Sequence, residues 1–334
     1  MHYGRVTGEH TDSTKVLCHI FDQQNKGLVK KWTTGAYEKP TSELLHVYGS
    51  ATDRSKDILV FTQRGHETLS RYLDRIYFKR SNPEFLPTDF AKILRAILRM
   101  MMKVLREPAY EDFSGSIKVE NIFVVDREPR LAIRSGLEDS SLGIKNFCTM
   151  VRDIWEKKHG DRSLTIELNH LITKLEDANV TVKSKEFLNA VNYPSLLSPE
   201  ERVLYRSRAR QKLKAMMAKN SATVTVVNKR LNRCLTHKWQ STNRPLAENK
   251  LQQGLKLTVA EYAITHKANN QLICYPDTAV GFLRFCRNLE VHMDHTKFTF
   301  EDADSDLTKY HPNFLLTLHD ILTAYDIFVD PTAF

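Results

Sequence analysis

The chain has 334 residues, 41% of them hydrophobic, and a formal net charge of +9 at pH 7. That length admits two compact domains, and that apolar content excludes a wholly disordered chain. Five scattered cysteines without a CxxC or HExxH pattern give no metal-site signature and point to reduced thiols in a cytoplasmic or nuclear protein, while no apolar run is long enough to span a bilayer.

Residues 1–14 are polar, carry no signal-peptide pattern and are expected to be a flexible terminus. Short strands are expected at 16–21 and 27–32 around a polar turn, then at 44–48 and 58–62. Residues 89–106 give a strong helix, because Phe90, Ile93, Leu94, Ile97, Leu98, Met101 and Leu105 recur at helical spacing. Further helices are expected at 144–155, 165–175 and 184–189. Ser198 is a suitable N-cap and Pro199 suits the first turn of the next helix. Between 201 and 240 stand eleven Lys and Arg and one acid, Glu201. Such a block fits an anionic partner, nucleic acid foremost, with a solvated helix face as the plain alternative. Within it, the β-branched run 224–227 reads equally as a loop or a helix start. Residues 241–250 read as a polar loop, 255–268 as a helix and 298–307 as an acidic loop. Leu315, Leu318, Ile321 and Leu322 form the packing stripe of a last helix.

Residues 280–295 organise the second half. On a helix, Phe282, Phe285, Cys286, Leu289 and Met293 gather on one side, with Arg284, Arg287, Asn288, His292 and His295 on the other. The polar side could hold a phosphate on arginine and move a proton through histidine. The alternative is an ordinary amphipathic helix with a solvated face.

Arg287-Asn288, three residues, then His292, preceded by Phe282-Leu283-Arg284, resembles the kinase-extension nuclease (KEN) family, in which a protein-kinase domain precedes a ribonuclease domain. The earlier part of the chain is similar to a kinase in the same order. Residues 114–123, Ser-Gly-Ser-Ile-Lys-Val-Glu-Asn-Ile-Phe, resemble a kinase catalytic loop that keeps Lys118, Glu120 and Asn121 but has Ser116 in place of the base aspartate. Residues 134–136 keep only Gly136 of Asp-Phe-Gly, with Arg134 where a carboxylate would hold magnesium. On the expected strand at 27–32, Lys30 matches the phosphate-holding lysine, or is a surface lysine. Asn121 matches the metal-side asparagine of a nucleotide site, or is a loop-packing residue. Tyr275 resembles the family's tyrosine, one residue nearer Arg287, or caps a turn.

The resemblance implies an α+β chain. A reduced, bilobal kinase-like domain would occupy 15–195 and an all-α KEN domain 196–334. It implies a metal-independent endoribonuclease that needs no cofactor, acts on single-stranded or stem-loop RNA and works as a homodimer. Arg134 and Ser116 argue against phosphotransfer and ATP binding. The implied roles are His292 as general acid, Tyr275 in deprotonating the 2′-hydroxyl, Arg287 in stabilising the phosphorane and Asn288 in positioning it. The other reading is a non-catalytic scaffold or RNA-binding protein of the same build.

Overall fold

The computed structural model describes residues 2–6, 14–38, 40–63, 67–75, 86–108, 110–133, 140–177, 179–219, 221–235, 278–292, 299–327 and 329. It is mixed α+β and divides into two compact units, Met1–Val191 and Asn192–Phe334. The expected junction at 195/196 falls in the short 3-10 turn Pro194–Leu196.

In the first unit, strands β1 (His2–Val6), β2 (Thr14–Phe21), β3 (Val47–Thr52) and β4 (Ile58–Gln63) form an antiparallel sheet of order β1-β2-β4-β3. The expected flexible terminus thus contributes an edge strand, paired from His2↔Cys18 to Val6↔Thr14. Residues 27–32 are a correction. They lie within helix α1 (Lys26–Glu38), which buries Val29, Trp32 and Gly35 at three-residue intervals. Asp22 starts the preceding 3-10 turn by accepting from the Asn25 amide at 3.2 Å. Trp32 is fully buried against His19 and Phe21 of β2, both in edge-to-face contact. The register of the next strand also moves. Leu44 and Leu45 are buried beside Leu131, whose carbonyl accepts from the Leu45 amide, and the strand proper begins at Val47.

Strands β5 (Glu67–Thr68), β6 (Ile122–Val125) and β7 (Glu128–Leu131) make a second antiparallel sheet. The β6–β7 turn places both Asp126 and Arg127 at positive φ, 53° and 67°, the geometry that matches the strands' twist in a two-residue hairpin. Helix α2 (Leu69–Arg75) follows β5, and the long helix α3 (Thr88–Val104) buries the whole expected apolar stripe, Phe90 to Leu105. Helices α4 (Ser140–His159), α5 (Ile166–Leu175) and α6 (Lys185–Val191) complete the unit, each overlapping its expected span. A Cβ at Gly143 would meet Leu105 Cδ1 at 3.1 Å and Ser114 Cβ at 3.2 Å, so glycine lets α4 sit close to the 111–116 turn.

The described part of the second unit is helical: α7 (Pro199–Lys219), α8 (Ser221–Asn232), α9 (Ala279–His292), α10 (Phe300–Tyr310) and α11 (Phe314–Ala324). Ser198 caps α7 as expected, and Glu201 reciprocates: the Glu201 amide donates to Ser198 Oγ and the Ser198 amide to Glu201 Oε2. Residues 224–227 belong to α8. Residues 300–307, expected in an acidic loop, are helical, because Thr299 and Asp302 form a reciprocal capping box. The expected loop at 241–250, the expected helix at 255–268 and Tyr275 lie outside the described residues. Among the described residues no helix is long and apolar enough to cross a membrane.

Candidate functional site

Helix α9 is fixed from its first turn. Its Ala279 amide donates to Asn232 Oδ1 at 2.7 Å, and its Gly281 amide to Thr278 Oγ1 at 3.1 Å, so two of the helix's orphan donors are satisfied. Phe282, Leu283, Phe285, Cys286 and Leu289 are all buried, which makes the apolar face wider than the sequence stripe by Leu283. Phe282 lies edge-on to Phe314 and His311, at 4.8 and 4.7 Å between ring centroids. Burial pushes the Cys286 thiol up to about 12, which makes it an inert packing group.

Turned away from this core are Arg287, which is exposed, and Arg284 and Asn288, which are half-buried. Arg287 Nη1 donates to Asn288 Oδ1 at 3.1 Å. His292 is the last residue of α9, four positions after Asn288, so its backbone lies one turn further along the same side. The structure therefore brings Arg287 and Asn288 into contact and sets His292 on their helix.

The two residues matched to a nucleotide site are in the first unit. Lys30 is an exposed side chain on helix α1, so the strand position on which its match rested does not exist. Asn121 is buried and donates from Nδ2 to the Ser116 carbonyl at 3.1 Å, closing the loop that both residues span. Ser116 itself is fully buried. Arg134 lies outside the described residues.

The basic block is divided by its surroundings. Lys212, Lys214, Lys229, Arg230 and Arg233 are exposed, whereas Arg202 and Arg206 are buried in the core. Both of these arginines reach one carboxylate: Arg202 Nε lies 2.8 Å from Asp304 Oδ2, and Arg206 Nη1 2.7 Å from Oδ1. Both also donate to Thr308 Oγ1, at 3.1 and 3.3 Å. This cluster locks α7 to α10. The sequence does not reveal it while Asp304 reads as part of an acidic loop. Its trace is a pair of four-residue spacings, Arg202 to Arg206 and Asp304 to Thr308. Burial, reinforced by the Arg206 charge, lowers the His311 pKa from 6.5 to about 4. His311 is thus a neutral packing ring near neutral pH.

Among the described residues no group of three or more His, Cys, Asp and Glu side chains could hold a metal ion. No protein-family model matches this chain, and no curated protein matches it.

Proposed function

We propose that the chain joins a catalytically silent, kinase-like unit to a ribonuclease-like helical unit that acts on RNA as a homodimer. The observation that carries this reading is α9. Its apolar side is core, and its other side presents Arg287 and Asn288 with His292 one turn on. The chemistry is transesterification. The RNA 2′-hydroxyl attacks the neighbouring phosphorus, the bond to the 5′-oxygen breaks, and a 2′,3′-cyclic phosphate forms. The proton lost by the 2′-hydroxyl, towards Tyr275, is balanced by one that His292 gives to the leaving 5′-oxygen. Arg287 neutralises the dianionic phosphorane through its forked donors, and Asn288 holds that arginine in place. Lys212, Lys214 and Arg230 offer exposed cations for the phosphate backbone.

Silence of the first unit is supported by what faces what. In a kinase a strand lysine pairs with a glutamate on the helix that follows. Here strand β2 runs into α1, and the buried residues that meet are His19 and Trp32, with His19 Nε2 hydrogen-bonded to Thr62 Oγ1 at 2.9 Å. An imidazole and an indole, not a lysine and a glutamate, meet there. A second reading, RNA binding without cleavage, is favoured by the exposed cations Lys212, Lys214 and Arg230, which can hold a phosphate backbone without any chemistry.

The test is cleavage of a labelled stem-loop RNA by the full chain in EDTA. Losing the general acid in His292→Ala should slow cleavage by about a hundredfold or more, and Arg287→Ala should also slow it strongly. Undiminished cleavage in both variants would mean that α9 is not the site. A folded chain that binds RNA and never cuts it would establish the second reading.

A further inference from the structure

A cavity of about 640 Å³ opens in the first unit between α3 and the β6–β7 turn, a size suited to a small ligand. Its walls carry six cations: Lys92, Arg95, Arg99 and Lys103 from α3, and Arg127 and Arg130 from the turn. They carry three carboxylates, Glu43, Asp89 and Glu128. We propose that this cavity binds a small anion bearing two or more phosphate groups.

Charge, spacing and depth converge on that chemistry. Arg95, Arg99 and Lys103 follow one another at four-residue intervals, so they stack on one face of α3. Six cations against three carboxylates leave the cavity wall net positive, which suits an anion. Glu43 answers Lys103 through an ion pair, and Arg130 Nη1 donates to Gln63 Oε1 at 3.3 Å. Arg95 is deeper, at 7% exposure, and a group must enter the cavity to reach it. Four of the six cations are arginines, whose paired donors fit phosphate oxygens. The depth of Arg95 favours a compact ligand over a polymer lying across the surface. Ile93, Met100, Pro129 and the Tyr72 ring supply an apolar wall for a non-phosphate part. This site is independent of α9 and of the nuclease reading.

The probe is inorganic tripolyphosphate, titrated calorimetrically into the full chain at low salt without magnesium. Lys92 and Arg127 are exposed, so the double variant Lys92→Glu/Arg127→Glu keeps the core intact; an unchanged melting temperature without ligand verifies this. Binding should weaken by about tenfold or more in that variant and stay near wild type in Lys26→Glu/Lys145→Glu, an equal charge change at two exposed lysines outside the cavity. ATP and inositol hexakisphosphate as further titrants decide whether a nucleoside or a polyol carries the phosphates. The proposal is overturned if the wild-type chain does not bind tripolyphosphate, or if both double variants lose it equally. It is also overturned if only a single-stranded RNA or an acidic peptide responds to the Lys92/Arg127 substitutions.

Discussion

Asp304 holds together two buried guanidiniums, and its removal would take a buried counter-charge from both. Asp304→Ala should therefore destabilise the chain by about 3–5 kcal/mol, the usual cost of breaking a buried pair by deleting one partner, read from urea unfolding. A loss below 1 kcal/mol would show that water reaches the cluster. His311 gives a prediction about pH. Its folded pKa of about 4 lies below its ordinary 6.5, so between these values the unfolded chain binds a proton that the folded chain refuses. The stability due to neutral His311 is complete above pH 6.5 and is lost as pH falls towards 4. His311→Phe keeps an aromatic ring against Phe282 and should flatten the fall in urea midpoint between pH 6.5 and 4. An identical fall in both proteins would exclude His311 as its source. The residue scale also corrects Lys30: its side chain is where a helix leaves it, in solvent.

Helical and extended periods separate only over a sufficient window. Six residues, 27–32, could not distinguish them, and the spacing of buried Val29, Trp32 and Gly35 emerges only over the full thirteen of α1. In α10 the local signal is present in the sequence. Thr299 and Asp302 are a capping-box pair, and Glu301 and Asp302 suit the positive end of a helix, yet the run of acids reads as a loop when charge alone is weighed. Thr299→Ala should lower stability by about 1 kcal/mol, the ordinary worth of an N-cap. Unfolding curves that superimpose would show that α10 is held by packing alone. Helices α3 and α9 were legible because long, regular apolar stripes leave little choice of face.

The cleavage prediction reaches the whole molecule through the homodimer it invokes. Activity per chain should rise steeply with protein concentration, and a flat dependence would remove the dimer from the proposal. Sequence alone determined most helix positions, the α7 cap and most of the apolar side of α9. These follow from side-chain period and short-range hydrogen bonds, which neighbours along the chain decide. It also set Arg287, Asn288 and His292 on one helix. Tertiary structure decided the rest. It buried Arg202 and Arg206 out of a basic block, set His19 against Trp32, and opened a cationic cavity between α3 and a hairpin turn. Each joins groups from different elements. Whether a charge meets water, a carboxylate or another charge depends on which surfaces pack together, and no local pattern records that.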